Sequence, residues 1–341
     1  MPELGTERRN ILFCSRSLWA SAWYRSHVPG MELYKMGYEV VLREEPAREL
    51  VEGCDVFATR YWVDGTLWQA FQYAKSLGKF CVLDVDDDVW ALHPDNPGYE
   101  HYSQPGAGDF AREVARAADM VTVATDYLAE LMRPFNKNVL VIRNMLPPEF
   151  WPTEAKPVVH EPPVVVGWAG SSSHGPDLRK LCGVVETILE YYPQVRFAFS
   201  QTCEIPFTPH ERIDIIPPTS VEEYPKMVQS FDVGLAPVLD SRFNRAKSDL
   251  KFVEYGICGI PAIASKVVPY EKSIRHGENG LLVNSPADWL KAIKRLIEDE
   301  ELRSRLGAAA RVTAERRTID RHIGKWIDAF GLDEPVRKPE V

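Results

Sequence analysis

The sequence predicts an α/β protein of two doubly wound domains, their parallel sheets facing a cleft between them. Three observations carry this. Short apolar, β-branched runs alternate with helix-period segments from the N-terminus to Leu146. A stretch with six prolines, "LPPEFWPTEAKPVVHEPP", interrupts them over residues 146–163. The alternation then restarts and continues to Phe330. Nearly continuous apolar strands separated by helices belong to parallel sheets covered on both faces. A chain of 341 residues is too long for one ordinary core and sufficient for two.

In the first half, strands are expected at Ile11–Ser15, Glu39–Leu42, Val56–Arg60, Phe80–Asp84, Met120–Ala124 and Val139–Ile142. Helices are expected at Tyr24–Met36, Thr66–Leu77, Phe110–Ala118 and Tyr127–Met132. Residues 1–146 form one domain and 147–163 a stiff, extended linker. Residues 164–330 form the second domain, with strands at Val164–Trp168, Arg196–Ser200, Ile213–Ile216, Val233–Pro237, Pro261–Ala264 and Gly280–Val283. Its helices are Asp177–Tyr191, Val221–Gln229, Ser248–Ile257 and Trp289–Glu298, followed by an amphipathic helical tail over 301–331. Residues 331–341 read as frayed.

Composition narrows the class. Hydrophobic content of 45% and charged content of 26% are those of an ordinary globular protein. The net charge of −9 argues against broad nucleic-acid binding. Cys14, Cys54, Cys81, Cys182, Cys203 and Cys258 form no CxxC pair, which points to a reducing, cytoplasmic setting without disulfides or zinc. The first residues lack the apolar segment of a signal peptide. No run reaches the ~18 apolar residues of a membrane span, although contact with the inner face of a membrane is compatible with the sequence.

The stretch "KSDLKFVEYGICGIPAIAS", Lys247–Ser265, is the most informative. Read as a helix stopped by Gly259 and Pro261, it places Leu250, Val253 and Ile257 on one face, to pack on a sheet. Lys251 and Glu254 fall on the neighbouring face, and Lys247 continues their line. The plain alternative is a solvated face with an ion pair worth about 0.3 kcal/mol. The chemical reading starts from the preceding loop, which brings Arg242, Arg245 and Lys247 to a helix N-terminus, where amides and the helix dipole favour an anion. Cations there suit a diphosphate, and a carboxylate two turns on suits the two hydroxyls of a ribose.

"KSDLKFVEYGICGIPAIAS…ENGLLV" resembles the donor-binding signature of GT-B glycosyltransferases, particularly the glycogen-synthase-like retaining group. The resemblance implies a GT-B fold of two Rossmann-like domains and a final helix returning to the first domain. It further implies transfer of a sugar from a nucleotide diphosphate, UDP- or GDP-sugar first among them, with retention and no obligatory metal. Glu254 matches the ribose-binding Glu of that signature. The Glu usual eight residues earlier is Ala246 here, with Lys247 beside it. The acceptor would be a carbohydrate, a lipid-linked sugar or a small molecule.

A second candidate is "VVVGWAGSSSHGPDL", Val164–Leu178. Gly170, Ser171 and Ser172 allow backbone amides to approach a ligand, and Asp177 can cap the following helix. The GxGxxG spacing of a dinucleotide site is absent. A plain strand-to-helix turn explains the same residues. His174 lies near the expected phosphate, or is simply exposed.

The acidic run "FCVLDVDDDVW" supports three readings. A metal-holding DxD fits poorly with two complete α/β units. A haloacid-dehalogenase-like phosphatase would use Asp84 as nucleophile. An acceptor-side role makes Asp86 or Asp87 a general base, its pKa raised by clustered carboxylates. Arg25 and Tyr24, beside Trp23, are candidates for acceptor recognition, or core. The assigned catalytic set is therefore Asp86, Asp87 and Lys247, with Gly170, Ser171, Ser172, Arg245, Lys247, Lys251 and Glu254 on the donor. A nucleotide-sugar 2-epimerase and a non-catalytic nucleotide-sugar binder remain alternatives.

Overall fold

The computed structural model describes residues 9–15, 21–60, 65–96, 98–152, 154, 162–170, 174–200 and 203–332. Ser171 and Ser172 lie outside them. The chain divides into two compact units. Unit 1 holds residues up to Asp88, Ser103–Met145 and the chain from Ile319 onward. Unit 2 holds Val89–Tyr102 and Leu146–Thr318.

Unit 1 contains a six-stranded parallel sheet. Its strands are β1 (Asn10–Cys14), β2 (Glu39–Arg43), β3 (Val56–Arg60), β4 (Phe80–Val85), β5 (Met120–Val123) and β6 (Val139–Val141), in the order β2-β1-β3-β4-β5-β6. β3 is buried along its whole length, as its apolar run requires. The expected helix at 24–36 is a wide turn at Trp23–His27 followed by a helix at Val28–Lys35. The final helix, Gly324–Phe330, sets Trp326 and Phe330 against Phe13 of β1, with ring centroids 6.5 and 5.4 Å away.

Unit 2 repeats the plan with β7 (Val164–Trp168), β8 (Val195–Ser200), β9 (Ile213–Ile216), β10 (Val233–Ala236), β11 (Ala262–Ser265) and β12 (Leu281–Val283). The order is β12-β11-β10-β7-β8-β9, again parallel. The expected helix at 177–191 is broken. Gly183, at a φ of +77°, ends one turn and starts the helix Val184–Tyr191. The beginning of the proline-rich stretch is packed rather than free, with Trp151 buried edge-on to Tyr224 at 6.1 Å. Its residues 153 and 155–161 lie outside the described ones.

The helix Leu250–Ile257 is covered on both sides, which the sequence pattern did not show. The sheet lies on one side and the helix Glu300–Ala314 on the other. This second contact depends on glycine. A methyl group on Gly307 would sit 2.0 Å from the carbonyl oxygen of Gly259. Gly307→Ala is therefore expected to force the two segments apart and destabilise the protein by about 3 kcal/mol, read from urea unfolding. An unchanged midpoint would mean that the helices slide apart without loss.

Candidate functional site

The carboxyl ends of parallel strands are where such sheets bind ligands. In unit 2, β7 ends at Trp168 and is followed by Ala169 and Gly170. Tyr255, from the helix Leu250–Ile257, pins this end: its hydroxyl accepts from the Ala169 N–H at 3.2 Å and donates to the Leu235 carbonyl at 3.0 Å. Gly170 must be small. A methyl there would lie 2.4 Å from Cζ2 of Trp168 and 2.9 Å from Nζ of Lys251. The Lys251 ammonium thus lies against the loop that follows β7, 5.7 Å from the Trp168 ring centroid.

Lys251 and Glu254 are only 9% and 3% exposed, so the solvated-face alternative fails. Burial pulls the Lys251 pKa down to about 8; Glu254 opposes this and Lys247 reinforces it. The Glu254 carboxylate accepts from the Tyr224 hydroxyl, 2.9 Å from Oε2.

Lys247 approaches from a different element. The expected loop before it contains a short helix, Arg242–Ala246, because the Ser241 hydroxyl caps it by accepting from the Asn244 N–H at 3.2 Å. Lys247 follows this helix, and its Nζ lies 3.3 Å from both ring nitrogens of His174 and 4.0 Å from Asp177 Oδ2. Asp177 is a hub rather than a simple cap. Its Oδ1 accepts from the Leu239 N–H at 2.8 Å and from Asn244 Nδ2 at 3.0 Å, while Oδ2 lies 2.8 Å from His174 Nδ1. Burial, with Lys247 and Lys251 adding to it, depresses the His174 pKa to about 3, so the imidazole is neutral. Its Nδ1–H then donates to Asp177, and Nε2 is left to accept from Lys247. Asp177 also stays ionised: burial would raise its pKa, but His174, Lys247 and the Leu239 amide outweigh that.

Asp249, the first residue before the Lys251 helix, is gripped by Arg317, whose Nη1 and Nη2 donate to its two oxygens at 2.9 and 3.1 Å. Asp177, Tyr224, Tyr255, Asp249 and Arg317 were not assigned site roles from sequence. Their contacts join residues far apart in the chain, which local patterns do not encode.

Three sequence assignments need correction. Arg245 does not join the buried cluster; it is exposed and donates to Asp240 at 2.9 and 3.2 Å. Arg25 is completely buried and Tyr24 is buried, so neither is displayed for an acceptor. The Arg25 guanidinium donates from Nε and Nη2 to Asp84, at 3.0 and 2.5 Å, and from Nη1 to the Ile142 carbonyl, while stacking on Trp326 at 5.1 Å. Asp86 is no general base with a raised pKa. Burial pushes it up, but Arg60 at 2.5 Å, the Ser21 hydroxyl and Arg25 bring it below the usual carboxylate value. Asp87 is half-buried beside it, and its charge also acts on Arg60. Asp84 is committed as well: Arg25 bonds both of its oxygens and the Thr122 hydroxyl donates to it at 2.6 Å, so it serves the core of unit 1 and not as a phosphatase-like nucleophile. The described residues hold no group of three metal-ligating side chains.

Residues 212–313, which include Lys247, Lys251 and Glu254, match the family described as Glycosyl transferases group 1. The chain superposes on sucrose-phosphate synthase from Thermosynechococcus elongatus with a TM-score of 0.69, over 95% of this chain and 98% of that one, at 15% identity. The chain has a GT-B fold, and its match to the group 1 glycosyltransferases lies within unit 2. Anabaena HepE, solved in complex with UDP and glucose, superposes on this GT-B chain with a TM-score of 0.67, at 16% identity over 94% of it and 100% of HepE. D-inositol 3-phosphate glycosyltransferase from Pseudarthrobacter chlorophenolicus is 30% identical over 131 residues. That match spans 33% of this chain and only 30% of the relative's length. The chitobiosyldiphosphodolichol beta-mannosyltransferase of Candida albicans is 24% identical over 111 residues, 33% of this chain and 24% of its own.

Proposed function

We propose that this GT-B chain transfers a sugar from a nucleoside diphosphate to an acceptor hydroxyl, unit 2 holding the donor. The observation that carries the reading is the burial of Lys251 and Glu254 one turn apart, with the Lys251 ammonium against Gly170 at the end of β7. Burying a cation is costly unless an anion uses it. A diphosphate placed at Gly170 would meet Lys251 and Lys247, and these ammonium groups would neutralise the charge that develops as it leaves. Glu254, further along the helix, would accept from the ribose hydroxyls.

With two lysines supplying this charge, the reading requires no obligatory metal. UDP is the first donor nucleotide to test, since HepE was solved with UDP and with UDP-glucose; a GDP-sugar is the next. Retention of anomeric configuration follows from the resemblance of the Lys247–Ser265 signature to the glycogen-synthase-like group. The acceptor is a carbohydrate, a lipid-linked sugar or a small molecule, and a lipid-linked one would bring the enzyme to the cytoplasmic face of a membrane. Among the described residues no helix is long and apolar enough to cross a membrane.

The test is a thermal-shift series with UDP, GDP, ADP and dTDP, each with and without Mg²⁺. A ligand at 100 times its Kd should add about 2.7 kcal/mol to the wild type. Glu254→Ala should weaken that nucleotide about tenfold through the lost charge-assisted hydrogen bonds. No shift with any nucleotide would overturn the reading, and a shift seen only with Mg²⁺ would overturn its metal-free form.

A further inference from the structure

The nucleotide reading leaves open what holds the Glu254 carboxylate in position, and Tyr224 answers this. Glu254 is buried, so its charge needs hydrogen-bond donors. Among them is the Tyr224 hydroxyl, 2.9 Å from Oε2 and 30 residues away in sequence. Tyr224 is itself fixed. It opens the helix Tyr224–Gln229, its N–H donates to the Ser220 carbonyl at 2.9 Å, and its ring stands edge-on to buried Trp151.

An ionised carboxylate has about four acceptor positions on two oxygens. A donor fixed on Oε2 orients the carboxylate and removes the rotamer freedom that a ligand would otherwise have to freeze. We propose that Tyr224 is a specificity-determining positioning residue, which orients Glu254 toward a vicinal diol and makes the site select ribonucleotides over 2′-deoxyribonucleotides. This rests on the nucleotide-sugar reading. It extends that reading to a second residue and to a preference between two ligand classes. The selectivity arises because a deoxyribose offers one hydroxyl fewer to a carboxylate whose orientation is already set.

The experiment is calorimetric titration of the full chain with UDP and dUDP, and with GDP and dGDP, for wild type and Tyr224→Phe. The wild type should prefer the ribonucleotide by about tenfold, the worth of one hydrogen bond to a charged group. Tyr224→Phe keeps the ring against Trp151 and should lose that preference while binding the deoxy form as before. Equal weakening of both forms, or an unchanged ratio, overturns the inference and leaves the nucleotide reading standing. Absence of binding by any ribonucleotide to wild type overturns both. If Tyr224→Phe is poorly folded, Glu254→Gln tests the same orientation from the other partner, and its ribo-to-deoxy ratio should also fall toward one.

Discussion

Replacing Lys251 with Met is expected to do two opposite things: weaken nucleotide binding by about 100-fold and make the protein more stable. The first follows from losing an ammonium that would be bonded to phosphate, an interaction worth about 1.5–3 kcal/mol. The second follows from burial. Lys251 is 9% exposed, and its pKa is pulled down from 10.5 to about 8, with desolvation the leading cause. A difference of this size corresponds to roughly 3 kcal/mol of cost to the folded state. Met fills a similar volume without the charge.

The pH dependence separates the two effects. Below about pH 8 Lys251 is protonated in both folded and unfolded chains, and the burial cost is fully present. Between about 8 and 10.5 the unfolded chain holds more protons than the folded one, so stability rises with pH. The wild type should therefore close its stability gap to Lys251→Met across that window, measured by urea unfolding. Nucleotide affinity should move the other way in wild type, falling as pH rises through about 8. A variant less stable than wild type, or an affinity flat from pH 7 to 10, would remove Lys251 from the anion site.

The same lysine shows how much of the site the sequence specifies locally. The strands Val56–Arg60, Val164–Trp168 and Ile213–Ile216 are found where their apolar β-branched runs placed them. A strand buried along its whole length, such as Val56–Arg60, leaves little ambiguity in such a run, and the edge strand Ile213–Ile216 is marked by its β-branched residues although Ile215 is exposed. The stripe of Lys247, Lys251 and Glu254 was legible as well, because helix spacing alone puts Lys251 and Glu254 together. What sequence left open was whether that stripe faced water. The answer lies at the end of β7, where Trp168 and Gly170 lie against Lys251, and in Tyr224, whose hydroxyl meets Glu254.

Other parts of the site were illegible for the same reason. Asp177 read as a helix cap, but its partners Leu239 and Asn244 are 62 and 67 residues away. Tyr224 and Tyr255 were ordinary helix residues until their hydroxyls met Glu254 and the end of β7. Arg25 is the opposite case, a residue whose two sequence readings, acceptor recognition or core, resolve to core. An arginine between aromatic residues suggests a recognition surface, and the same neighbours suit a buried guanidinium that stacks on a ring. Local composition does not separate the two. The partner that decides is Asp84, 59 residues on.

That correction leads to the largest expected effect on stability. Arg25→Met should cost unit 1 about 3–5 kcal/mol, because it removes the guanidinium that bonds both Asp84 oxygens and leaves this buried carboxyl only the Thr122 hydroxyl and Arg60, 3.9 Å away. The side chains of Arg25 and Asp84 are 0% and 5% exposed, so water cannot take the place of the lost bonds. The Ile142 carbonyl loses its donor too. Removing both charges should be much milder. In Arg25→Met/Asp84→Leu neither ion remains to be desolvated, and most of the loss should return. Nucleotide binding reads out unit 2, and it should survive in Arg25→Met below that variant's melting temperature. An acceptor-binding arginine predicts the reverse pattern, with a raised KM for acceptor, unchanged unfolding and no rescue by the second substitution. Urea unfolding of the two variants, with nucleotide titration of each, therefore decides whether Arg25 serves the core of unit 1 or its ligand.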